Sequence, residues 1–456
     1  MTSRAHFGLA LLLVAIALSG GACTCSKGAD PGAVDGSTGT SSGAPGAVAT
    51  PSEGGEPGGD AGAGGGLSAP IASARGDQGD VVVAGLDVAA HAIRVQRISA
   101  KDEVLADRTV FDGAGWSSEA ELKMMPAGAG VALVWRGLRA KKPVRQALVL
   151  GPDLAPIGDV VDIAPASCAT RDALWYTDGK RIHSRPWGAA PTRIELPGDK
   201  DGAVVICGAH RAFGLVDDDD GTSLLSWGAT DGGPAGGVSV TRLLKESDYG
   251  EDDQRERAEY TVGDDIGVVR LSVSGAVSLR ELRSGAAAPL RRLKTTIPRD
   301  DDVVAVDASP RAVVIVFTED VGDACPKGDG AGANASTRVK ALRVDRATLE
   351  ESTIELSPGM CGREVGPFFT GAIGEAVSVA WVERIPVAGM SRAPIAGLAH
   401  RSVPAAGAAG ELARIDQPAD ALVDAGCDSA RCYAVALARR AGMDAMVPGL
   451  ARVLRY

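Results

Sequence analysis

Short apolar runs alternate with turn residues along most of this chain, from about residue 78 onward. The runs are rich in Val, Leu and Ile, and most of them stop at Gly, Asp or Pro. Strand-length runs with such boundaries are typical of β-strands, whereas the three-to-four-residue apolar spacing of a helix is scarce. The pattern therefore predicts an all-β fold.

These runs recur in groups of four. Residues 205–245 contain the predicted strands VIC, RAFGLV, SLLSW and VSVTRLL, with an Asp-Gly turn ending at Gly221 between the second and third strands. Residues 160–198 repeat the order with a turn ending at Gly179, and a third copy turns at Gly275. Glycine suits such hairpin turns because it adopts positive φ at little cost.

Eight second strands can be aligned in this way, and they begin near residues 81, 131, 172, 211, 266, 311, 376 and 432. Their spacing of roughly 40 to 65 residues is close to that of propeller blades with loop insertions. We therefore expect a β-propeller of seven or eight four-stranded blades, with two stacked sandwiches as the alternative. The first hairpin lacks a clear leading strand and the last lacks a trailing one, which leaves open whether the two ends share one blade.

The segment before this repeat region has a different composition. Residues 7–18, FGLALLLVAIAL, form an apolar run too short to span a bilayer as a helix, and small residues follow it. We interpret residues 1–22 as a signal peptide. From residue 23 to residue 77 the chain is mostly Gly, Ala, Ser, Pro, Asp and Thr, which predicts a disordered linker. The propeller-like domain is then expected over residues 78–456.

The signal peptide ends in GGAC, and this resembles the lipobox of bacterial lipoproteins. The resemblance implies that Cys23 becomes the lipidated first residue of the mature chain. The family prefers Leu three residues before the cysteine, where this chain has Gly20. Residue 24 is Thr24 rather than Asp, a pattern that in Gram-negative lipoproteins permits transfer to the outer membrane. We therefore expect a lipid-anchored envelope protein, with a secreted or periplasmic protein as the alternative.

Six further cysteines follow the predicted linker, an even number that suits three disulfides in an exported chain. Cys168 and Cys207 occupy equivalent positions in consecutive repeats, so they are expected to bridge two blades. Cys427 and Cys432 would close a small loop. By elimination, Cys325 and Cys361 form the third pair. The role of Cys25 stays open.

The sequence identifies no catalytic, cofactor-binding or metal-binding residue. The five histidines are scattered, no CxxC pair occurs, and no GxSxG motif is present. The acidic run at residues 217–220 lacks the carboxylate spacing of a calcium loop and is interpreted as a hairpin tip. A net charge of −11 and an aromatic content of 4% argue against a nucleic-acid partner.

These observations favour a non-enzymatic binding or scaffold module that presents its loop face to a protein or glycan partner and contacts the membrane through its anchor. One alternative is a hydrolase or lyase with its site at the central channel. Another is an accessory lipoprotein of outer-membrane assembly, because the order of anchor, linker and blades resembles the propeller lipoprotein of the barrel-assembly machinery.

The anchor can be tested by metabolic palmitate labelling of the wild-type protein and of Cys23→Ser. We expect the label in the wild type and its loss in the variant, since the acylated thiol is removed. Equal labelling of the two proteins would exclude Cys23 as the lipid attachment site.

Overall fold

The protein is described here by a computed structural model. The described ranges are 68–75, 80–87, 92–101, 103–112, 121–127, 130–139, 142–163, 167–177, 180–186, 192–196, 203–218, 221–227, 238–245, 254–283, 286–321, 337–359, 362–385, 395–415, 421–427, 432–438 and 450–455. Regular structure in these ranges is entirely β. None of it is a helix long and apolar enough to cross a membrane.

The first four sheets are four-stranded antiparallel meanders in chain order, which we call blades 1 to 4. Their strands are β1 Ser68–Arg75, β2 Val81–Asp87, β3 Ala92–Ile98 and β4 Val104–Asp112; β5 Leu122–Ala127, β6 Gly130–Arg139, β7 Lys142–Leu150 and β8 Pro156–Ile163; β9 Ser167–Ala169, β10 Ala173–Thr177, β11 Arg181–Pro186 and β12 Thr192–Glu195; and β13 Val204–Cys207, β14 Ala212–Asp218, β15 Gly221–Ser226 and β16 Ser239–Lys245.

Blades 5 to 8 follow the same plan with two variations: the fourth position of blade 5 is split into two short strands, and blade 8 has three described strands. Their strands are β17 Gln254–Val262, β18 Asp265–Ser272, β19 Ala276–Arg283, β20 Ala286–Ala287 and β21 Arg291–Thr296; β22 Asp302–Ala308, β23 Ala312–Asp320, β24 Thr337–Asp345 and β25 Glu351–Ser357; β26 Glu364–Ile373, β27 Ala376–Arg384, β28 Ile395–Val403 and β29 Ala413–Ile415; and β30 Ala421–Cys427, β31 Cys432–Ala438 and β32 Leu450–Arg455.

The eight sheets form a closed ring. The first strand of a blade lies against the first strand of the next, as in β1 beside β5, β17 beside β22, and β26 beside β30. Blades 4 and 5 meet through a backbone hydrogen bond of 2.8 Å from Ala209 N to Gly263 O. Strand β30 of blade 8 lies against β1 of blade 1, and this contact closes the circle. The described strands therefore form a β-propeller of eight sheets, seven with four or more strands and one with three, and the alternative of two stacked sandwiches is wrong.

Apolar seams between the blades hold the ring together. The strand faces alternate, so one face of a blade packs on the preceding blade and the other on the following blade. Six successive seams are visible among the described side chains, and buried pairs that represent them are Ile93 with Leu133, Val134 with Leu174, Ile182 with Val205, Leu224 with Val268, Leu279 with Ile315, and Val316 with Val379. Full burial of one such side chain contributes about 1.5–3 kcal/mol.

The second strands confirm the sequence prediction, because all eight lie at the expected positions as β2, β6, β10, β14, β18, β23, β27 and β31. Two boundaries differ from it. Blade 1 has a leading strand, β1, which spans Ser68–Arg75 and lies entirely in the segment assigned to the linker, residues 23–77. Its SAPIASAR sequence hid it, since Ala and Ser are weak strand signals.

The second difference is the hairpin of blade 4, predicted with Gly221 inside the turn. Asp218 pairs with Gly221 instead, so Gly221 is the first residue of β15 and residues 219–220 connect the strands. The turn at Gly275 is where the sequence placed it: this residue has φ 86° and its N–H donates to Ser272 O at 3.0 Å. The described strands of the two chain ends form separate blades and do not share one.

A disulfide crosses the seam between blades 3 and 4. Cys168 in β9 is bonded to Cys207 in β13, with 5.8 Å between their Cα atoms. The repeat alignment pointed to this pair. Cys432 is also disulfide-bonded and lies opposite Cys427 in the ladder of β30 and β31, while the side chain of Cys427 lies outside the described part. Cys325, Cys361, Cys23 and Cys25 lie outside the described residues, and their roles stay predictions.

Removal of the bridge between blades 3 and 4 should lower stability. The bond closes a loop with a sequence separation of 39. The chain-entropy relation gives a contribution of roughly 3–4 kcal/mol for a loop of that size. We expect Cys168→Ala/Cys207→Ala to lower the free energy of unfolding in urea by about this amount under oxidising conditions. A change below about 0.5 kcal/mol would contradict a stabilising role.

Candidate binding face

The two ends of the ring carry different sets of connections. Because the blades are antiparallel meanders, one end carries the connections between second and third strands and the passages between blades; we call it the loop face. The opposite end, the corner face, carries the other connections. Strands two and three are joined by tight hairpins in blades 1 to 5, whereas residues 321–336, 385–394 and 439–449 join them in blades 6, 7 and 8.

The corner face is connected from blade to blade by hydrogen bonds. Arg171 N donates to Ala209 O at 2.9 Å across blades 3 and 4, and Ser309 Oγ donates to Glu375 O at 2.8 Å across blades 6 and 7. Ser309 Oγ also accepts from Ala312 N at 3.1 Å, so one hydroxyl fixes both the corner and the seam. The corner residues are thus used for joining the blades.

A buried polar group strengthens the corner face between blades 5 and 6. The Glu281 carboxylate accepts from Tyr260 Oη at 2.7 Å and from Arg346 Nε at 2.6 Å, and Arg283 pairs with it as well. Burial, with Glu281 as a further cause, raises the pKa of Tyr260 well above its usual value. A Cβ on Gly267 would lie 2.0 Å from the Tyr260 ring, so glycine is needed for this close approach.

The loop face has irregular inner strands over one continuous arc. Strands β17, β22, β26, β30 and β1, the inner strands of blades 5, 6, 7, 8 and 1, each show a register shift near the loop face. The described inner strands of blades 2, 3 and 4 pair with their neighbours without such a shift. Bulges leave a residue outside the ladder and redirect side chains, and they are common at barrel rims and beside functional sites.

The most elaborate part of this arc is where blades 6 and 7 meet, which we call the 6–7 sector. It contains the loop-face ends of β22–β24 and β26–β28, together with Ile385. Its neighbouring inner strands β22 and β26 are both shifted, β22 between Val303 and Ala305 and β26 between Val365 and Phe368. Two adjacent bulges thus lie at one position of the ring.

The surface of the 6–7 sector combines apolar and acidic side chains. Ile385 is 45% exposed, and it is one of few large apolar side chains to be so exposed in the described part. Pro367 is exposed and Phe368 half-buried on β26. Asp302 and Glu364, at the starts of β22 and β26, are exposed at the channel mouth. The sector therefore has exposed apolar groups, Ile385 and Pro367, and two exposed carboxylates, Asp302 and Glu364.

Two buried polar groups lie beneath this surface. The Trp381 ring, fully buried, lies 6.4 Å from the Phe368 ring between their centroids. The indole N–H of Trp381 and the hydroxyl of Thr370 are both buried without a hydrogen-bond partner among the described groups. An unsatisfied buried donor costs about 1–3 kcal/mol, so the packing of this seam is not optimised for stability alone.

Ion pairs fix the strands on both sides of the sector. Glu383 is buried on β27, pairs with Arg363, and accepts from Arg414 Nε at 3.2 Å. On blade 6, Glu319 accepts from Lys340 Nζ at 2.8 Å and from Arg338 Nη1 at 3.1 Å. The hydrogen bond from Lys340 lowers the pKa of the Glu319 carboxyl below its usual value.

One pair in blade 7 has the geometry of a nucleophile and a base. Ser378 Oγ lies 2.7 Å from His400 Nε2. However, the Ser378 side chain is 1% exposed, so a substrate cannot reach it. Separately, no group of three or more His, Cys, Asp or Glu side chains in the described part is arranged to hold a metal. Burial lowers the pKa of His400 to about 4, so the ring is neutral near pH 7. We assign this pair to the structure of the blade.

The histidines and the acidic run that the sequence analysis discussed do not meet at one site. His183 stacks on Tyr176 in blade 3 with 4.9 Å between ring centroids, and the His210 backbone N–H donates to Asp264 Oδ1 at 2.8 Å. Asp217 accepts from Thr222 Oγ1 at 2.8 Å and pairs with Arg257 of blade 5. His6 and His91 lie outside the described residues.

The tryptophans pack mainly inside the blades, as expected. Trp135 and Trp381 are almost fully buried, and Trp175 and Trp227 pack against each other with 5.4 Å between ring centroids. Trp116 and Trp187 lie outside the described part. The described tryptophans therefore form no exposed platform for sugar rings on the loop face.

Sequence reasoning missed the 6–7 sector because a bulge has no strong sequence signal. The clue that was present is the Gly-Pro pair at residues 366–367 inside an otherwise apolar strand, since Pro in a strand marks an edge or a bulge. The lengths of the second-to-third-strand connections in blades 6 to 8 were also available from the repeat alignment.

Protonation of His400 should destabilise the fold in acid. Burial in the folded state lowers the pKa of His400 to about 4, against 6.5 for an exposed imidazole, so between these values the unfolded chain binds the proton more readily. The resulting loss of stability develops as the pH falls from 6.5 to 4 and, for a partly solvated ring, amounts to about 1–2 kcal/mol. Urea unfolding of the wild type and of His400→Gln at pH 7 and pH 4.5 should show a smaller drop in the variant. An identical drop in both proteins would exclude His400 as the source.

Comparisons with known proteins identify no family. No family model matches the sequence, and no curated protein matches it. Among solved structures, the WD40 domain of SCAP from fission yeast has a TM-score of 0.43 at 10% identity, covering 86% of this chain and 95% of that chain. Virginiamycin B lyase from Staphylococcus aureus has a TM-score of 0.38 at 11% identity, covering 69% of this chain and 93% of that chain. Likenesses this weak carry no argument about function.

Proposed function

We propose that this chain is an envelope lipoprotein, anchored through Cys23, whose propeller is a non-enzymatic binding module. The observation that carries the proposal is the difference between the two faces. The corner residues join the blades to one another, whereas the long connections and bulges of the loop face concentrate in the 6–7 sector and its neighbours. Rigid blades that carry irregular loops make a recognition surface.

A protein partner fits this surface better than a glycan does. Protein interfaces combine apolar and polar side chains, and the 6–7 sector exposes Ile385 and Pro367 as well as Asp302 and Glu364. Glycan sites use exposed aromatic faces, and the described tryptophans are buried or paired. The exposed carboxylates and the net charge of −11 favour a partner with a basic patch, whose association should slow as salt screens the attraction.

An enzymatic function has less support. The pair of Ser378 and His400 is the arrangement closest to a catalytic one in the described part, and its serine is inaccessible. A hydrolase or lyase centred on the channel would need acidic or imidazole groups within reach of one another there. The binding function is therefore the one we put forward.

The proposal can be tested by photo-crosslinking in intact cells, with one photoreactive amino acid placed at Ile385 or at Val240. The two residues are matched, since they are 45% and 48% exposed, but Val240 lies on the outer strand of blade 4. We expect a discrete adduct from position 385 and none from position 240. Protease digestion of the adduct then separates a protein partner from a glycan. Equal adducts, or none from position 385, would contradict a binding surface in the 6–7 sector.

A further inference from the structure

Two polar groups in the seam between blades 6 and 7 have no partner in the described part of the protein. They are the hydroxyl of Thr370 on β26, which is 2% exposed, and the indole N–H of Trp381 on β27, which is fully buried. Phe368 is paired with Trp381 in the ladder of these strands. Thr370, two residues further along β26, is paired with Val379, so Thr370 and Trp381 are diagonal neighbours on one face of the sheet. Burial of an unpaired polar group lowers stability, so both groups need an explanation.

This face of the sheet is turned towards blade 6. Trp381 belongs to the buried cluster that joins the two blades, together with Val316 and Val339 of blade 6. Val304 and Phe368 are partly buried against the same cluster from the two inner strands. These neighbours are apolar, and an unpaired charge is costly among apolar groups. The surroundings of the two polar groups therefore favour an uncharged ligand over an ion.

The charged groups on this side of blade 7 are already used in other contacts. Glu383, two residues beyond Trp381 on β27, pairs with Arg363 and accepts from Arg414 Nε at 3.2 Å. Arg401 donates to a backbone carbonyl of blade 6 at 2.8 Å. Their charges are thus engaged in holding the strands and the seam, which leaves the hydroxyl and the indole N–H as the groups available for a ligand.

The repeat shows that packing alone does not account for a polar residue at the position of Thr370. This position is paired with a residue of the second strand that lies two residues before a buried aromatic ring, which is Trp381 in blade 7 and Trp135 in blade 2. Blade 2 has Met124 at the position, and blade 6 has Val306. Since apolar side chains fill it in these two blades, the hydroxyl of Thr370 has a reason outside the core.

The bulge of β26 provides a route to the two groups. The register shifts between Val365 and Phe368, and the half-buried Phe368 ring lies 6.4 Å from the Trp381 ring between their centroids. A Cβ on Gly366 would lie 3.5 Å from the Phe368 ring, so glycine keeps this side of the ring free. Because residues 366–367 have no partner in the ladder, the chain before Phe368 can shift at little cost and open the seam to the channel.

We propose that Thr370 and Trp381 form a binding site for an uncharged carbonyl group, such as that of an amide on a small apolar body. The indole N–H donates to the carbonyl oxygen, and the Thr370 hydroxyl donates to the same oxygen or accepts from the amide N–H. A free small amide and an Asn or Gln side chain of a protein partner offer the same chemistry. The second of these sources rests on the proposed function.

Titration of the full chain with N-methylacetamide, a small uncharged amide, tests the site by nuclear magnetic resonance of isotope-labelled tryptophan. The indole N–H signal of Trp381, identified by its loss in Trp381→Phe, should move downfield and saturate in the millimolar range, as expected for so small a ligand. Thr370→Val should weaken binding about tenfold, because one of two hydrogen bonds is lost. Acetate, which is similar in size but charged, should leave the signal where it is.

Ser223→Ala is the matched control, because the Ser223 hydroxyl in blade 4 is also buried without a hydrogen-bond partner in the described part. Its titration should equal that of the wild type. Both Ser223→Ala and Thr370→Val should have a Tm at or above that of the wild type, because each removes an unsatisfied group. A Trp381 signal that does not move, that moves without saturating, or that moves equally in the wild type and Thr370→Val would overturn the proposal, as would a lower Tm of Thr370→Val.

The crosslink from position Ile385 separates the two sources of the carbonyl group. If the group belongs to a protein partner, Thr370→Val should reduce the adduct in cells about tenfold, whereas Ser223→Ala should not. An unchanged adduct together with a saturable titration would assign the site to a free small molecule. If the wild type forms no adduct, the proposed function is wrong, while the titration of Trp381 still decides whether this site exists.

Discussion

The structure depends on the contact between adjacent sheets, because no blade can bury both of its faces alone. A single four-stranded sheet has a core only where another layer covers it, and here each sheet is covered by its two neighbours. The seam from blade 6 to blade 7, with Val316 and Val379, is apolar, as the other described seams are. All eight sheets have a neighbour on each side only because β30 of blade 8 lies against β1 of blade 1.

This constraint separates the two faces of the molecule. The corner face supplies hydrogen bonds that join neighbouring blades, such as the one from Ser309 to the carbonyl of Glu375, and it contains the buried carboxylate of Glu281 with its three partners. Changes there would affect the seams directly. In blades 6 to 8 the second and third strands are further apart in sequence than in blades 1 to 5. Length variation and recognition are therefore compatible with a stable ring on that face.

The sequence predicts the blades well because each second strand, such as β23 with its AVVIVF core, is buried on both faces and reads as a continuous apolar run. It predicts the bond between Cys168 and Cys207 because equivalent repeat positions become neighbours in a ring. It fails for β1, whose Ala and Ser residues pack in the seam with blade 2 without a strand signal. It also fails for the bulges of β22 and β26, since register depends on the neighbouring strand rather than on local composition.

The same reasoning explains why the candidate site could not be located beforehand. Ile385 is exposed and Glu383 is buried between Arg363 and Arg414 because three strands of blade 7 pack together there. A short sequence motif does not predict this packing. The exposed apolar and acidic side chains of this surface indicate the kind of partner that we expect it to bind.

The closed ring is the central claim, and the distance between blades 1 and 7 across blade 8 tests it most directly. Spin labels at Lys101 and Ala408, both exposed on the corner face, can be compared by pulsed electron resonance. A closed ring predicts one narrow distance distribution that matches the coordinates. A broad distribution, extending beyond any distance possible across the ring, would show that blade 8 does not join blade 7 to blade 1.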